Sequence, residues 1–303
     1  MLTDYHLHLR PDGHDADVAE YHTQANVERY RAAADERGIA ELGVSEHVYR
    51  FAQALDVWRH PFWETFAHDD LDAYCAFVRE QTDLRLGIEA DFVPGAEDRM
   101  ANLLDARDFD YVVGSVHFMR GGAVDMDDYS VWDGGASVEE IWMRYFQTIG
   151  EAARSGLFDI AAHPDLVKYW SPPASTRAER RPEGDLRRYY EPAVEGIAEA
   201  GIAVEVSTAG LRKPAGEIYP ARAFLEMCVD AGVPVALSSD AHRPEDVGAD
   251  YDRALELLAS VGVSELSVFE RRRRRLEPIG ATGSQDGVAA AGGVSQPGEA
   301  ASP

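Results

Sequence analysis

The sequence predicts an α/β protein whose core is a TIM-like barrel of parallel strands. Short apolar runs alternate with longer amphipathic segments about seven times, which is the pattern of a parallel sheet covered by helices. Histidine and carboxylate residues stand at or just after the ends of nearly all these runs. A barrel places its chemistry at the carboxyl ends of many strands, whereas an open sheet gathers its ligands near one switch point. The pattern therefore favours the barrel.

The predicted strands are short and mostly aliphatic, as strands covered on both faces are. In chain order they are Leu2 to His6, Ile39 to Ser45, Leu84 to Ala90, Tyr111 to Val116, Phe158 to Ala162, Ile202 to Ser207 and Val233 to Ser238.

Three further segments carry helix signals. Ser137 and Glu140 form a capping box ahead of apolar residues that recur every fourth position. A second helix is predicted from Leu186 to Ala200, where a glycine follows as a C-terminal stop. A last helix is predicted from about Tyr251 to Ser260, ahead of a weak strand candidate at Leu266 to Phe269.

We expect one catalytic domain over residues 1–279 and a disordered tail over 280–303. The tail contains six glycines, six alanines and three serines but no aromatic residue, so it has too little apolar surface to fold. Two long stretches between strands, Gly13 to Gly38 and Tyr49 to Asp83, contain two histidines each, and the second also contains two tryptophans. Insertions of this kind above a barrel are expected to shape a substrate pocket.

The formal net charge of −25 disfavours binding to nucleic acid, because the phosphate backbone would be repelled. The one basic block, Arg271 to Arg275, is interpreted as a solvated segment that closes the fold, and no function is assigned to it. No apolar stretch approaches the length of a membrane span, and no secretory signal is visible. Cys75 and Cys228 form no CxxC pair and are expected to be buried thiols, so we expect a cytoplasmic protein.

The polar residues at the strand ends carry the functional prediction. His6 and His8 are two residues apart on a predicted strand, so their side chains leave the same face and can bind one metal ion. Each such feature has an ordinary alternative. An HxH pair is common without a metal, and Asp240 can be a helix N-cap with His242 following by chance. The combination of so many ligand-type residues at one barrel end favours a metal site.

These residues, taken in order, resemble the motifs of the polymerase and histidinol phosphatase (PHP) superfamily, and most of all its histidinol-phosphate phosphatases. The resemblance runs from about Leu2 to His242. Its motifs are HxH at His6 and His8, the trailing His14, EH at Glu46 and His47, GxExD at Gly87 to Asp91, SVH at Ser115 to His117, HP at His163 and Pro164, and SDAH at Ser239 to His242.

The resemblance implies a distorted seven-stranded barrel that holds three divalent metal ions. Zinc, manganese and iron all suit the implied nitrogen and oxygen ligands. The implied ligands of the first ion are His6, His8, Glu89 and Asp240. Glu89 would bridge to a second ion that also takes His117 and His163. The implied ligands of the third ion are His14, His47 and His242.

The implied reaction is hydrolysis of a phosphate monoester, L-histidinol phosphate, by metal-activated hydroxide. Glu89, Asp240 and His242 would act through the metals. The candidate proton donors for the leaving group are Asp91, Asp165 and a metal-bound water. The segment Glu205 to Lys213 looks like the substrate segment of histidinol phosphatases. Within it Arg212 is expected to bind the phosphate and Glu205 to face the substrate amine or imidazole. Weaker anion-binding candidates are Lys168 and Arg120.

Two alternatives stay open at this stage. One is a PHP phosphoesterase acting on nucleotides or nucleic acid, such as a 3′-end nuclease; the acidic charge and the lack of a recognisable DNA-binding extension count against it. The other is a non-catalytic module that metals stabilise, which the complete set of implied ligands disfavours. The sequence leaves the oligomeric state open.

Overall fold

The computed structural model describes residues 1–12, 17–170 and 180–280. The strands, in chain order, are β1 (Leu2–Asp4), β2 (Ile39–Val44), β3 (Arg85–Asp91), β4 (Tyr111–Ser115), β5 (Phe118–Met119), β6 (Gly122–Ala123), β7 (Ile160–Ala161), β8 (Ala203–Ser207), β9 (Val235–Ser238), β10 (Glu265–Glu270) and β11 (Arg273–Pro278). All seven strands predicted for the sheet are present.

The α-helices lie mostly between these strands. In chain order they are α1 (Val18–Tyr21), α2 (Gln24–Glu36), α3 (Pro61–Phe66), α4 (Leu71–Gln81), α5 (Glu97–Asp105), α6 (Val138–Arg154), α7 (Arg187–Ala200), α8 (Arg222–Asp230) and α9 (Tyr251–Ser260). The capping box of Ser137 and Glu140 begins α6 as predicted, and Gly201, with a φ of 66°, ends α7.

The seven predicted strands form one parallel sheet in the order β1-β2-β3-β4-β7-β8-β9. Just beyond β1 and β9, Leu7 bridges to Ala241, and the amide of His8 donates to the Ala241 carbonyl at 2.7 Å. The first and last strands therefore meet, and the sheet closes almost completely into a barrel. This confirms the predicted fold class.

A large tyrosine fills the start of the barrel interior. The ring of Tyr111 lies against Gly43 of β2 and Gly87 of β3. A Cβ atom at either glycine would lie 2.3 Å from an atom of the tyrosine side chain. Glycine at both positions lets the fully buried ring lie across the sheet. Tyr5 packs against it, with ring centroids 5.0 Å apart.

The weak strand candidate at the C-terminal end is β10, and it pairs with β11 as an antiparallel hairpin. Val268 and Phe269 of β10 pack with Tyr5 and with residues at the starts of several barrel strands. Arginines occupy the turn and the first part of β11; four of the five in the Arg271–Arg275 block are exposed, while Arg272 pairs with Asp159. This agrees with a solvated segment that closes the fold.

Three further sequence predictions concern regions outside the barrel. Cys75 on α4 and Cys228 on α8 are free thiols; Cys228 is buried as predicted, whereas Cys75 is only partly buried. Within the described ranges, no helix combines the length and the apolar character that crossing a membrane requires. The predicted tail falls almost wholly on residues 281–303, which lie outside the described residues.

Candidate metal centre and active site

Glu89, near the end of β3, lies at the centre of a buried histidine cluster. Its Oε1 lies 3.2 Å from Nε2 of His163 and 3.5 Å from Nε2 of His117. Its Oε2 lies 3.4 Å from Nε2 of His6 and 3.6 Å from Nε2 of His8. The two carboxylate oxygens thus face different histidines, which is what a carboxylate bridging two metal ions requires.

The donor atoms of this cluster fall into three groups, each with members within 4.8 Å of one another. The groups are His6, His8 and Asp240; His6, Glu89 and His163; and His8, His47 and His242. Every member of these groups is one of the implied ligands, but the grouping differs from the implied one. The first group lacks Glu89, the second contains His6 instead of His117, and the third contains His8 instead of His14. His117 lies 3.5 Å from Glu89, and His14 lies outside the described residues.

The chemistry of these donors suits a divalent transition metal. Nε2 of His6 and both ring nitrogens of His8 are buried without a hydrogen-bond partner among the described residues. Leaving a buried polar group unpaired costs about 1–3 kcal/mol, so several of them converging on one point are unfavourable unless a ligand binds there. Imidazole and carboxylate together are a donor set for zinc, manganese or iron.

Two groups of the cluster, Glu89 and His47, are already in the protonation states that bind metals. Burial acts to raise the pKa of Glu89, but the imidazoles of His47, His6 and His117 outweigh it and hold that pKa well below its usual range. Burial lowers the pKa of His47 to about 3, despite the nearby Glu89. The cluster therefore combines an ionised carboxylate with a neutral imidazole, which are the forms that bind metals.

Two of the candidate ligands sit on strained backbone. Asp240 has a φ of 48° and His163 a φ of 22°, values that residues other than glycine adopt infrequently. Such conformations persist only where the surrounding structure enforces them, and they are frequent at functional sites. Asp240 follows β9, in a loop held to β1 by Asp4, which accepts a hydrogen bond from the Ser239 amide at 3.0 Å.

Glu205 and Asp91 lie behind the histidines rather than in front of them. Oε1 of Glu205 lies 2.8 Å from Nδ1 of His6, and Oε2 accepts from the His163 amide at 2.5 Å. The side chain is buried and its oxygens accept hydrogen bonds from protein donors. The prediction that Glu205 faces the substrate is therefore wrong. Asp91 lies 2.8 Å from Nδ1 of His117 and likewise orients an imidazole instead of standing free as a proton donor.

Glu205→Gln is expected to weaken metal affinity about 10- to 100-fold, because carboxylates that orient metal-binding imidazoles have effects of this size. The amide keeps the shape but loses the charge that supports His6. Competition titration against a chromophoric zinc chelator measures the change. Glu199→Gln is the control, since Glu199 is an exposed residue of α7 paired with Arg154. Unchanged metal affinity in Glu205→Gln would contradict the positioning role.

The cluster opens into a cavity of about 300 Å³. Much of its wall is aromatic, from Tyr49, Phe62, Phe66, Phe118, Tyr169 and Tyr219. The first three belong to the stretch from Tyr49 to Asp83, which confirms that this insertion shapes the pocket. Asp12, Asp125 and Lys213 also line the cavity, and sequence reasoning did not select any of them. Only Lys213 had a signal, as the last residue of the segment that resembles the substrate segment.

Arg212 turns away from this cavity. Its Nη2 donates to the Ser239 carbonyl at 2.5 Å, and its Nε lies 3.5 Å from Asp246. It therefore anchors the loop that carries Asp240. The neighbouring Lys213 lines the cavity instead, and although burial acts to lower its pKa, Asp240 and other nearby acids raise it above the usual value. Lys213 is thus a protonated cation near the metal cluster.

The two weaker anion-binding candidates are also absent from the described lining of the cavity. Lys168 is buried, with Nζ 2.9 Å from Asp165 and 3.3 Å from Glu217, so its charge is already neutralised within the protein. Arg120 is exposed at the turn between β5 and β6 and lines a separate cleft beside Trp58.

The fold and the site together define a parallel-barrel enzyme with a multinuclear metal centre at the carboxyl ends of its strands. The model of the PHP domain matches residues 14–209, more than half of the chain. The chain belongs to the PHP domain family.

Two curated relatives match this chain over most of its sequence. A probable histidinol-phosphatase of Deinococcus radiodurans is 30% identical over 284 residues, covering 91% of this chain and 99% of that protein. The histidinol-phosphatase of Bacillus subtilis is 28% identical over 193 residues, covering 59% of this chain and 70% of that protein.

Solved structures confirm the fold. The histidinol phosphate phosphatase of Lactococcus lactis, complexed with zinc, L-histidinol and phosphate, superposes with a TM-score of 0.67 at 17% identity, covering 90% of this chain and 98% of that one. A putative histidinol phosphatase of Listeria monocytogenes gives a TM-score of 0.66 at 19% identity, covering 83% of this chain and 99% of that one.

Proposed function

We propose that this protein is a metal-dependent phosphomonoesterase that hydrolyses L-histidinol phosphate to L-histidinol and phosphate in histidine biosynthesis. The observation that carries the proposal is the Glu89-centred cluster, with its three groups of metal donors opening into a small cavity. The names of the relatives in Deinococcus and Bacillus support the choice of substrate.

The proposed ligands are the eight described residues of the predicted set, together with His14. They are His6, His8, His47, Glu89, His117, His163, Asp240 and His242. When bound, divalent ions supply Lewis acidity that neutralises charge on phosphoryl oxygens and activates water as a nucleophile. Glu205 and Asp91 fix the rings of His6 and His117. Lys213, as a cation lining the cavity, contributes a contact to the phosphate.

A small phosphate ester suits the site better than a nucleic acid. The cavity is about the size of a small ligand and is walled by aromatic rings, and two carboxylates, Asp12 and Asp125, stand in its lining beside Lys213. With a chain charge of −25, a polyanion would be repelled. We place this activity in the cytoplasm, where thiols such as Cys75 and Cys228 stay reduced.

A comparison of substrates tests the proposal. The metal-loaded protein is expected to release phosphate from L-histidinol phosphate with a kcat/KM on the order of 100-fold or more above that for adenosine monophosphate or a 3′-phosphorylated oligonucleotide. Equal or better turnover of the nucleotides would reject L-histidinol phosphate as the substrate while leaving a metal-dependent phosphoesterase standing.

A further inference from the structure

Asp125 lines the cavity but belongs neither to the proposed metal ligands nor to the proposed phosphate contact. It follows the β5–β6 hairpin, and the backbone beside it is held to the metal site: the Val124 amide donates to the His117 carbonyl at 3.0 Å. The indole of Trp132 donates to the Val124 carbonyl at 2.9 Å. These bonds fix the segment that carries Asp125 at the cavity wall, next to a proposed metal ligand.

The carboxylate of Asp125 is incompletely paired. Its Oδ1 is buried without a hydrogen-bond partner among the described residues. Burial raises the pKa of Asp125, and the imidazoles of His117 and His163 oppose that rise without cancelling it. A desolvated carboxylate of this kind gains free energy when a cation or an N–H donor binds to it.

The other carboxylates of the cavity wall differ in this respect. Asp12 lies 2.9 Å from Arg50, Glu89 is surrounded by histidines, and Asp240 lies 3.5 Å from His8. Within the described part of the chain, Asp125 forms no ion pair. Asp125 raises the pKa of Lys213 less than Asp240 and Asp12 do, and it forms no ion pair with that lysine.

A spare negative charge in a site for a phosphate dianion is unfavourable unless the substrate also carries a positive charge. L-Histidinol phosphate carries one, on the amino group of the carbon next to the CH2 that bears the ester. Lys213 and the metal ions that the proposed ligands would hold can meet the phosphate, while an acidic residue in the adjoining wall meets the ammonium. Such a division of charges rejects phosphate esters without a cation, because their binding leaves the carboxylate unpaired.

We propose that Asp125 determines specificity by binding the ammonium group of the substrate. This inference rests on the proposed function and assigns the residue that distinguishes an amino-alcohol phosphate from phosphate esters that carry no ammonium group.

The test uses Asp125→Asn in the metal-loaded full chain, with Asp128→Asn as the control, since Asp128 is an exposed carboxylate of the same segment. Loss of a charge-assisted hydrogen bond is expected to raise the KM for L-histidinol phosphate and the Kd for L-histidinol roughly 10- to 100-fold. The inhibition constant of inorganic phosphate is expected to stay within about twofold, and the control variant is expected to change none of these quantities.

Four outcomes decide the matter. Weaker binding of L-histidinol with unchanged phosphate inhibition and unchanged metal content supports the role. Unchanged binding of L-histidinol by calorimetry overturns it, as does loss of metal from Asp125→Asn, which would make the residue part of the metal site. If the wild type binds L-histidinol through Asp125 but does not hydrolyse its phosphate ester, the proposed function fails and the ammonium site stands.

Discussion

Glu89→Gln is expected to lower kcat for phosphate release by on the order of 10³-fold and to reduce the metal content of the protein. The carboxylate contacts histidines through both oxygens, with Oε1 facing His163 and His117 and Oε2 facing His6 and His8. Glutamine keeps the size but replaces one oxygen by an N–H donor and removes the negative charge. Metal ions stabilise a phosphoryl-transfer transition state by several kcal/mol, and each 1.36 kcal/mol is about tenfold in rate.

The control for this variant is Glu80→Gln, since Glu80 is an exposed residue of α4, and no proposed ligand lies on that helix. Metal content is measured by inductively coupled plasma mass spectrometry on both variants, and folding by circular dichroism. A Glu89→Gln protein that keeps its metals and its turnover would contradict the central position given to this residue.

The barrel and the ligand cluster were predictable from the sequence for a physical reason. Parallel strands covered on both faces require continuous apolar runs, and their carboxyl ends meet at one end of the barrel. His6 follows β1, Glu89 lies near the end of β3 and Asp240 follows β9, yet Nε2 of His6 lies within 4 Å of both carboxylates. The sorting into three metal groups came from the family resemblance, because strand order alone does not say which ligands share an ion.

The substrate-binding residues were less predictable, because strand periodicity does not govern side-chain direction in the loops. Arg212 and Lys213 are adjacent, and only the structure shows that the lysine lines the cavity while the arginine binds the Ser239 carbonyl. Glu205 has its oxygens occupied by donors from β1, β7 and β9 regions that no local pattern connects. Asp125 lies in a segment without regular spacing, so nothing in the sequence distinguishes it from Asp127 or Asp128.

Metal removal is the second change for which a very large effect is expected. Chelation followed by dialysis is expected to abolish phosphate release, because no side chain in the described lining of the cavity can polarise the phosphoryl group and activate water as a divalent ion does. Burial acts to lower the pKa of His6, but Glu205 and Glu89 raise it well above its usual range, so rebinding of metal must displace a proton there. Reconstitution is therefore expected to be faster at mildly alkaline than at acidic pH.

The most direct test measures phosphate released from L-histidinol phosphate by the same protein sample before chelation, after chelation and after return of zinc, manganese or iron. We expect turnover in the first sample, none in the second, and recovery in the third as the protein takes up as many as three ions, one for each ligand group. Full turnover of L-histidinol phosphate by protein shown to be free of metal, or no turnover by protein loaded with metal, would contradict this expectation.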